Sequence, residues 1–209
     1  MTTLQHGRFI TLEGGEGAGK TTQTDLLVQA LQARGLPVLR TREPGGSPGA
    51  ELLRGILLAG EIDWSPRAET LLHFAARAEH VAKTIEPALA EGTWVICDRF
   101  YDSTMAYQGY GQGADRAFIA AQIELLGIVP DVTMVLDVPE AVAGVRLRQR
   151  GNSADRYDRL GPDFHARVRN GFRTIARDEP ARCIEVDASG DVAAVHTAIL
   201  GRVVQRFGL

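Results

Sequence analysis

The nine residues GGEGAGKTT, positions 14–22, constrain the fold more than any other stretch of the chain. They follow a short apolar run, RFITLE, and open a segment with a helical pattern. Gly14, Gly19, Lys20 and Thr21 fit the spacing G-x-x-x-x-G-K-[ST]. Glycines let the backbone turn tightly and aim successive N–H groups at an anion. The following helix adds its positive N-terminal end. In such a loop Gly14, Gly15, Glu16, Gly17, Ala18, Gly19, Lys20, Thr21 and Thr22 cradle the phosphates of a nucleoside triphosphate such as ATP. Lys20 reaches the β- and γ-phosphates, and the Thr21 hydroxyl sits on Mg²⁺. The pattern names a ligand but no reaction, since switches, motors, transporters and kinases all carry it.

The rest of the chain alternates short apolar runs with longer helical patterns. Strands are expected at 8–13, 37–42, 93–98, 132–138 and 183–188, each brief and rich in β-branched residues, as buried parallel strands are. Helices are expected at 20–34, 49–59, 67–91, 115–127, 139–150, 162–178 and 191–206. Gly35 followed by Pro37 reads as a helix stop, and Asp191 as the cap of the last helix. This order predicts an α/β fold: a five-stranded parallel sheet with helices on both faces, in three layers. Ligands then bind beyond the carboxyl ends of the strands. The 209 residues read as a single domain. The polar, arginine-rich stretch within it, at about 146–160, reads as a mobile insertion.

Charge and composition exclude several classes. The net charge of −3 gives no basic surplus for nucleic acid. No apolar run is long enough for a membrane helix, and MTTLQHGRF does not have the form of a secretion signal. The two cysteines, Cys97 and Cys183, end or begin strand-like runs and read as buried thiols in a reducing, cytoplasmic setting. The five histidines have no metal-ligand spacing. A guanine-reading N-K-x-D is missing from the sequence, so a GTPase switch lacks support. Asp98, at the end of TWVICD, is placed to hold Mg²⁺ or its waters beside Thr21.

Three further stretches stand out: TREPGGSPG at 41–49, DRFYDSTMAYQGYG at 98–111, and RLRQRGNSADRYDR at 146–159. With GGEGAGKTT, the segments REPGG and DR-x3-ST-x-AYQG resemble bacterial thymidylate kinase, in order and over nearly the whole chain. The resemblance implies the phosphate-loop fold of the nucleoside monophosphate kinases with a short lid, transfer of a phosphoryl group from ATP to dTMP with Mg²⁺, and a homodimer. It places Glu43 near the acceptor phosphates and Pro44 at the wall of the thymine pocket. Phe74 stacks on thymine and Arg77 hydrogen-bonds its exocyclic oxygen. Arg99 clamps the acceptor phosphate, with Arg42 as its helper. Ser103, Tyr107 and Gln108 line the deoxynucleoside pocket, where bulky Tyr107 disfavours a 2′-hydroxyl.

The chemistry asks for these residue types in its own right. Two anionic phosphate chains must meet in line, which requires cations between them, and arginine pairs phosphate bidentately without losing its charge. The phosphate loop carries Glu16 where another branch of the family has an arginine. The lid-like segment then offers Arg146, Arg150 and Arg156 for the transition-state charge, along with Arg148 and Arg159. Its DRYD departs from the D-R-I-E of relatives. By pattern alone Phe74 reads as core, Arg77 and the lid arginines as solvated surface, and Asp98–Arg99 as an end-of-strand ion pair. Two alternatives stay open: a kinase of another nucleoside monophosphate, and a nucleotide-dependent switch.

Overall fold

In the computed structural model, which describes residues 6–150, 156–157 and 160–209, five strands form one parallel sheet. They are β1 (Phe9–Glu13), β2 (Val38–Arg42), β3 (Trp94–Asp98), β4 (Val132–Asp137) and β5 (Cys183–Asp187). The spatial order is β2-β3-β1-β4-β5. Every expected strand is present, each trimmed by one residue.

The strands are apolar on both faces because both faces are covered. Ile10, Leu12 and Ile96 point into one core with Leu27, Leu31, Ile199 and Val203. Those four belong to α1 (Lys20–Gln32) and α9 (Val192–Phe207). Phe9, Val95 and Cys97 point to the opposite face, where Val81, Ile85, Leu89 and Phe100 cover them. Cys97 and Cys183 are both free thiols and buried, and burial pushes the Cys97 thiol well up.

Local chemistry sets the helix ends. Ser47 and Ser65 accept hydrogen bonds from Ala50 and Ala68, with proline at the first helical position, and so start α2 (Pro48–Leu58) and α3 (Pro66–His80). Asp191 caps α9 as expected, accepting from the Ala194 N–H at 2.8 Å. The expected 67–91 helix is less regular: α3 runs into a π-helical turn, Val81–Ile85, before α4 (Glu86–Ala90). Pro87 lies just past that wider turn, where its missing N–H goes unused.

One helix was not expected. After β3, α5 (Tyr101–Thr104) winds into a π-helical stretch, Met105–Gly111. Tyr101, Asp102, Thr104, Ala106, Tyr107, Gln108, Gly109 and Gly111 are all buried, so the segment carries no polar stripe to betray its period. The remaining helices are α6 (Arg116–Leu126), α7 (Glu140–Arg150) and α8 (Pro162–Asp178). Residues 151–155, 158 and 159 of the expected lid, among them Arg159, lie outside the described residues, as does the side chain of Arg150. No described helix is long and apolar enough to cross a membrane.

Register brings the functional ends together. Leu12 of β1 and Arg42 of β2 both pair with Asp98 of β3. The loops leaving these three strands therefore start level with one another, at the edge where the sequence placed the ligand loops.

Candidate active site

The loop after β1 turns through two glycines that no other residue could replace. Gly14 has φ +139° and faces the Leu136 carbonyl, 2.4 Å from where a Cβ would sit. Gly17 has φ +72° and lies against the Ala143 backbone. The loop ends at Gly19, whose φ of +88° turns the chain into α1 with no side-chain cap. The first N–H groups of α1 are thus left for an outside acceptor. Lys20 folds back over the loop and donates to the Gly14 and Gly15 carbonyls at 3.0 and 2.8 Å. Burial, with Arg99 nearby, lowers its pKa to about 8. The Thr21 hydroxyl donates to Asp98 Oδ2 at 2.7 Å. Ala18 is core, and Thr22 is exposed on α1.

Arg99 follows β3 with φ +70°, a left-handed conformation uncommon for a residue with a Cβ. Its Nη1 donates to the Gly14 carbonyl and to Ser103 Oγ, both at 3.1 Å. Its Nη2 pairs with Glu16 and donates to the Tyr107 hydroxyl at 3.0 Å. That hydroxyl donates in turn to Glu16 at 2.8 Å. Burial holds the Tyr107 phenol well above its usual pKa, so it stays neutral. Below the turn is Glu13, fully buried, which the sequence reading passed over.

The REPGG segment enters from β2 with a cis Glu43–Pro44 bond. Glu43 is buried, and its oxygens take Arg77 Nε at 2.6 Å and His80 Nδ1 at 3.0 Å. His80 Nε2 meets Thr41 Oγ1 at 2.6 Å. The sequence placed Glu43 near the acceptor phosphates, whereas its oxygens here hold Arg77. Arg77 Nη2 donates to the Phe100 carbonyl and to Thr104. Its Nη1 is buried without a hydrogen-bond partner among the described residues. The Phe74 ring lies 4.9 Å from the Arg77 guanidinium and supports it, outside the lining of the cleft that Arg77 and Arg99 flank.

Arg77 and Arg99 flank a cleft of about 240 Å³ that also takes in Lys20, Thr21, Pro44, Asp98, Ser103, Tyr107 and Gln108. Among the described residues, Lys20, Arg40, Arg42, Arg54, Arg77 and Arg99 line it against Glu16, Glu43 and Asp98. A chain of negative net charge thus concentrates cations at one edge of its sheet. Arg42 sits on the rim, paired with Glu51 at 3.2 Å. Arg40 and Arg54 were not singled out from the sequence, having no motif around them.

The lid residues divide. Arg146, on α7, donates to the Gly17 and Gly190 carbonyls at 3.4 and 2.9 Å, which lays it over the phosphate loop. Arg156 instead pairs with buried Glu69 at 2.8 Å. Beside it, the Tyr157 hydroxyl donates to Glu69 at 2.6 Å and meets His73 Nε2 at 3.0 Å. Gln108 donates to both Glu69 and Tyr157. Burial, then Arg77, Arg156 and Arg99, lowers the His73 pKa from 6.5 to about 3. Between those values the unfolded chain binds the proton and the folded chain does not, so stability falls as pH drops below about 6.5. His73→Gln should therefore be less acid-sensitive than the parent by about 1.4 kcal/mol per pH unit in that window. Urea unfolding from pH 7 to 4 measures the difference, and parallel curves would refute it.

The thymidylate kinase family model matches residues 12–199. The chain is 52% identical over 201 residues to thymidylate kinase of Gluconobacter oxydans, covering 94% of each. It is 50% identical over 209 residues to that of Caulobacter vibrioides, covering 99% of this chain and all of the relative. A crystal structure of thymidylate kinase from Ehrlichia chaffeensis superposes with a TM-score of 0.78 at 35% identity, covering 95% of this chain and 99% of that one.

Proposed function

Because this chain belongs to the thymidylate kinase family, its reaction is phosphorylation of dTMP to dTDP, and we propose that ATP, with Mg²⁺, is the donor over the loop of residues 14–22. The observation that carries this reading is the cationic cleft itself. At one end Lys20 lies in a glycine loop, and at the other stand Pro44 and Arg77, whose buried Nη1 has no hydrogen-bond partner among the described residues. One end suits a phosphate chain and the other a polar base edge.

The proposed roles are these. Lys20 and the N–H groups of residues 14–22 hold the donor phosphates. Arg99, between Gly14 and Ser103, holds the acceptor phosphate against them. Arg77, backed by Phe74 and Glu43, reads the base, and Ser103, Tyr107 and Gln108 enclose the sugar. Thr21 and Asp98 offer a hydroxyl and a carboxylate 2.7 Å apart. That is a fitting pair of hard oxygens for Mg²⁺, which takes few protein ligands and completes its shell with water and phosphate. When bound, the ion supplies charge neutralisation at the phosphates. An acceptor-phosphate oxygen attacks the γ-phosphorus while the bond to the departing ADP oxygen breaks. The chain's own part is to align and neutralise the two phosphates. Arg146 already lies over the loop at Gly17, and Arg150 and Arg156 complete the proposed lid set over about 146–160 of this single domain.

A homodimer and a cytoplasmic location belong to the same reading. Leu52 and Ile56 on α2 and Leu71 on α3 are exposed apolar residues on neighbouring helices. Light scattering should return twice the chain mass of 22.6 kDa; a monomer at micromolar concentration would remove the dimer from the reading.

The function is tested by ADP release with ATP and Mg²⁺ across dTMP, dCMP, UMP, AMP and GMP, with a no-acceptor control. dTMP should stimulate release far above the others. One slow rate with every acceptor and with none would turn the reading to a nucleotide switch.

A further inference from the structure

Glu13 is the last residue of β1, fully buried and next in the chain to Gly14. One carboxyl oxygen accepts the Phe100 N–H at 2.6 Å and the Ser103 N–H at 3.4 Å. The other accepts a hydrogen bond from Ser103 Oγ at 2.6 Å. Ser103 Oγ is also the acceptor for Arg99 Nη1. A continuous path thus runs from the strand carrying the phosphate loop, through Ser103, to the arginine at the acceptor side. Two further bonds parallel it: the Arg99 N–H donates to the Leu12 carbonyl at 3.0 Å, and Arg99 Nη1 to the Gly14 carbonyl.

A carboxyl group in this place is costly. Burial, then Asp102, pushes its pKa up to about 8, against the pull of Ser103, Arg99 and Phe100. An apolar side chain would fill the same space more cheaply. What the carboxyl adds is reach and two acceptor oxygens for the donors of one turn. That turn also holds Arg99 in its left-handed conformation, which costs about 1–3 kcal/mol and persists only where neighbours over-determine it.

We propose that Glu13 is a positioning residue that holds Arg99 in register with the phosphate loop, so that the acceptor phosphate meets the donor phosphate in line. The inference rests on the phosphoryl-transfer reading of the cleft. Misplacement of a reacting group by about 1 Å can cost on the order of 10² in rate while binding survives. Loss of Glu13 therefore acts on turnover more than on affinity. The base end of the cleft, around Arg77, makes no hydrogen bond to Glu13 among the described residues.

The test is a series at this one position. Glu13→Leu keeps the bulk and loses both hydrogen-bonding oxygens; its kcat should fall at least tenfold. Its dissociation constants for dTMP and for ATP, each measured alone by calorimetry, should stay within threefold of the parent. Glu13→Gln keeps an acceptor oxygen and the reach, and should retain most of the parent kcat. If Glu13→Leu does not fold, Glu13→Asp takes its place: the carboxyl group stays, the reach is lost, and kcat should fall at least fivefold. A kcat within threefold of the parent in the folded Leu or Asp variant would overturn the proposal. So would a loss explained wholly by weaker nucleotide binding, or one as large in Gln as in Leu. Parent turnover of dTMP, measured alongside, tests the underlying reading separately.

Discussion

Lys20→Ala is expected to lower kcat with ATP and dTMP by about 10³ or more while leaving the fold intact. A single preorganised donor aimed at developing charge is worth about 10²–10³ in rate, and Lys20 brings a full positive charge to the phosphates. Stability should change little, because two effects oppose each other. The variant loses two hydrogen bonds to Gly14 and Gly15. It also releases the chain from holding a cation that burial has already pushed down to about 8. The same shift gives a pH signature. Below about 8 the lysine is charged and ready for phosphate. Above it, binding must first take up a proton, so ATP affinity in the parent should fall with rising pH. In Lys20→Ala that dependence should vanish. Steady-state kinetics and calorimetry between pH 7 and 9.5 decide the matter. An alanine variant with a kcat near the parent's would remove Lys20 from the machinery.

Arg77→Ala should damage acceptor use and stability together. The guanidinium serves Glu43, the Phe100 carbonyl and Thr104 at once, and in the proposed reading Nη1, unpartnered among the described residues, is kept for the base. Removing it leaves Glu43 buried, with the His80 hydrogen bond as its remaining side-chain contact among the described residues. Breaking a buried pair from one side costs about 3–5 kcal/mol. The KM for dTMP should rise by about 10² or more, the loss expected when a site built to hydrogen-bond its substrate cannot do so. The KM for ATP should hardly move. Arg77→Lys separates the two effects. It keeps a charge for Glu43 and should recover much of the stability, but one ammonium cannot reproduce the fork, so dTMP use stays impaired. Unchanged dTMP kinetics in Arg77→Ala would sink the base-reading assignment.

The sheet and the phosphate loop were legible for a shared reason: both leave local, periodic or fixed-spacing signals. RFITLE, TWVICD and VTMVLDV are apolar throughout because both their faces are covered. The loop needs glycine at Gly14 and Gly17 because neighbouring backbone leaves no room for a Cβ. What stayed hidden is polar and buried. Glu13, Glu69, His73 and His80 sit singly among apolar or helical residues. Their meaning lies in partners such as Phe100, Tyr157 and Glu43, far away in the chain. The helix at 101–111 was hidden likewise, since burial on nearly every side erases amphipathic period. Tyr157, visible only as a departure from a lid motif, turns out to share hydrogen bonds with Gln108 and His73.

The phosphate-loop helix α1 owes its packing to a distant part of the chain. Leu27 and Leu31 are sealed by Val195, Ile199 and Val203 of α9. Contacts between residues so far apart in sequence form late, after much loop entropy has been given up. A chain emerging during synthesis would carry its lysine and glycine loop long before the element that braces them. The earliest-made motif is thus expected to be among the last parts of the molecule to become rigid, with nucleotide binding reporting that folding has finished.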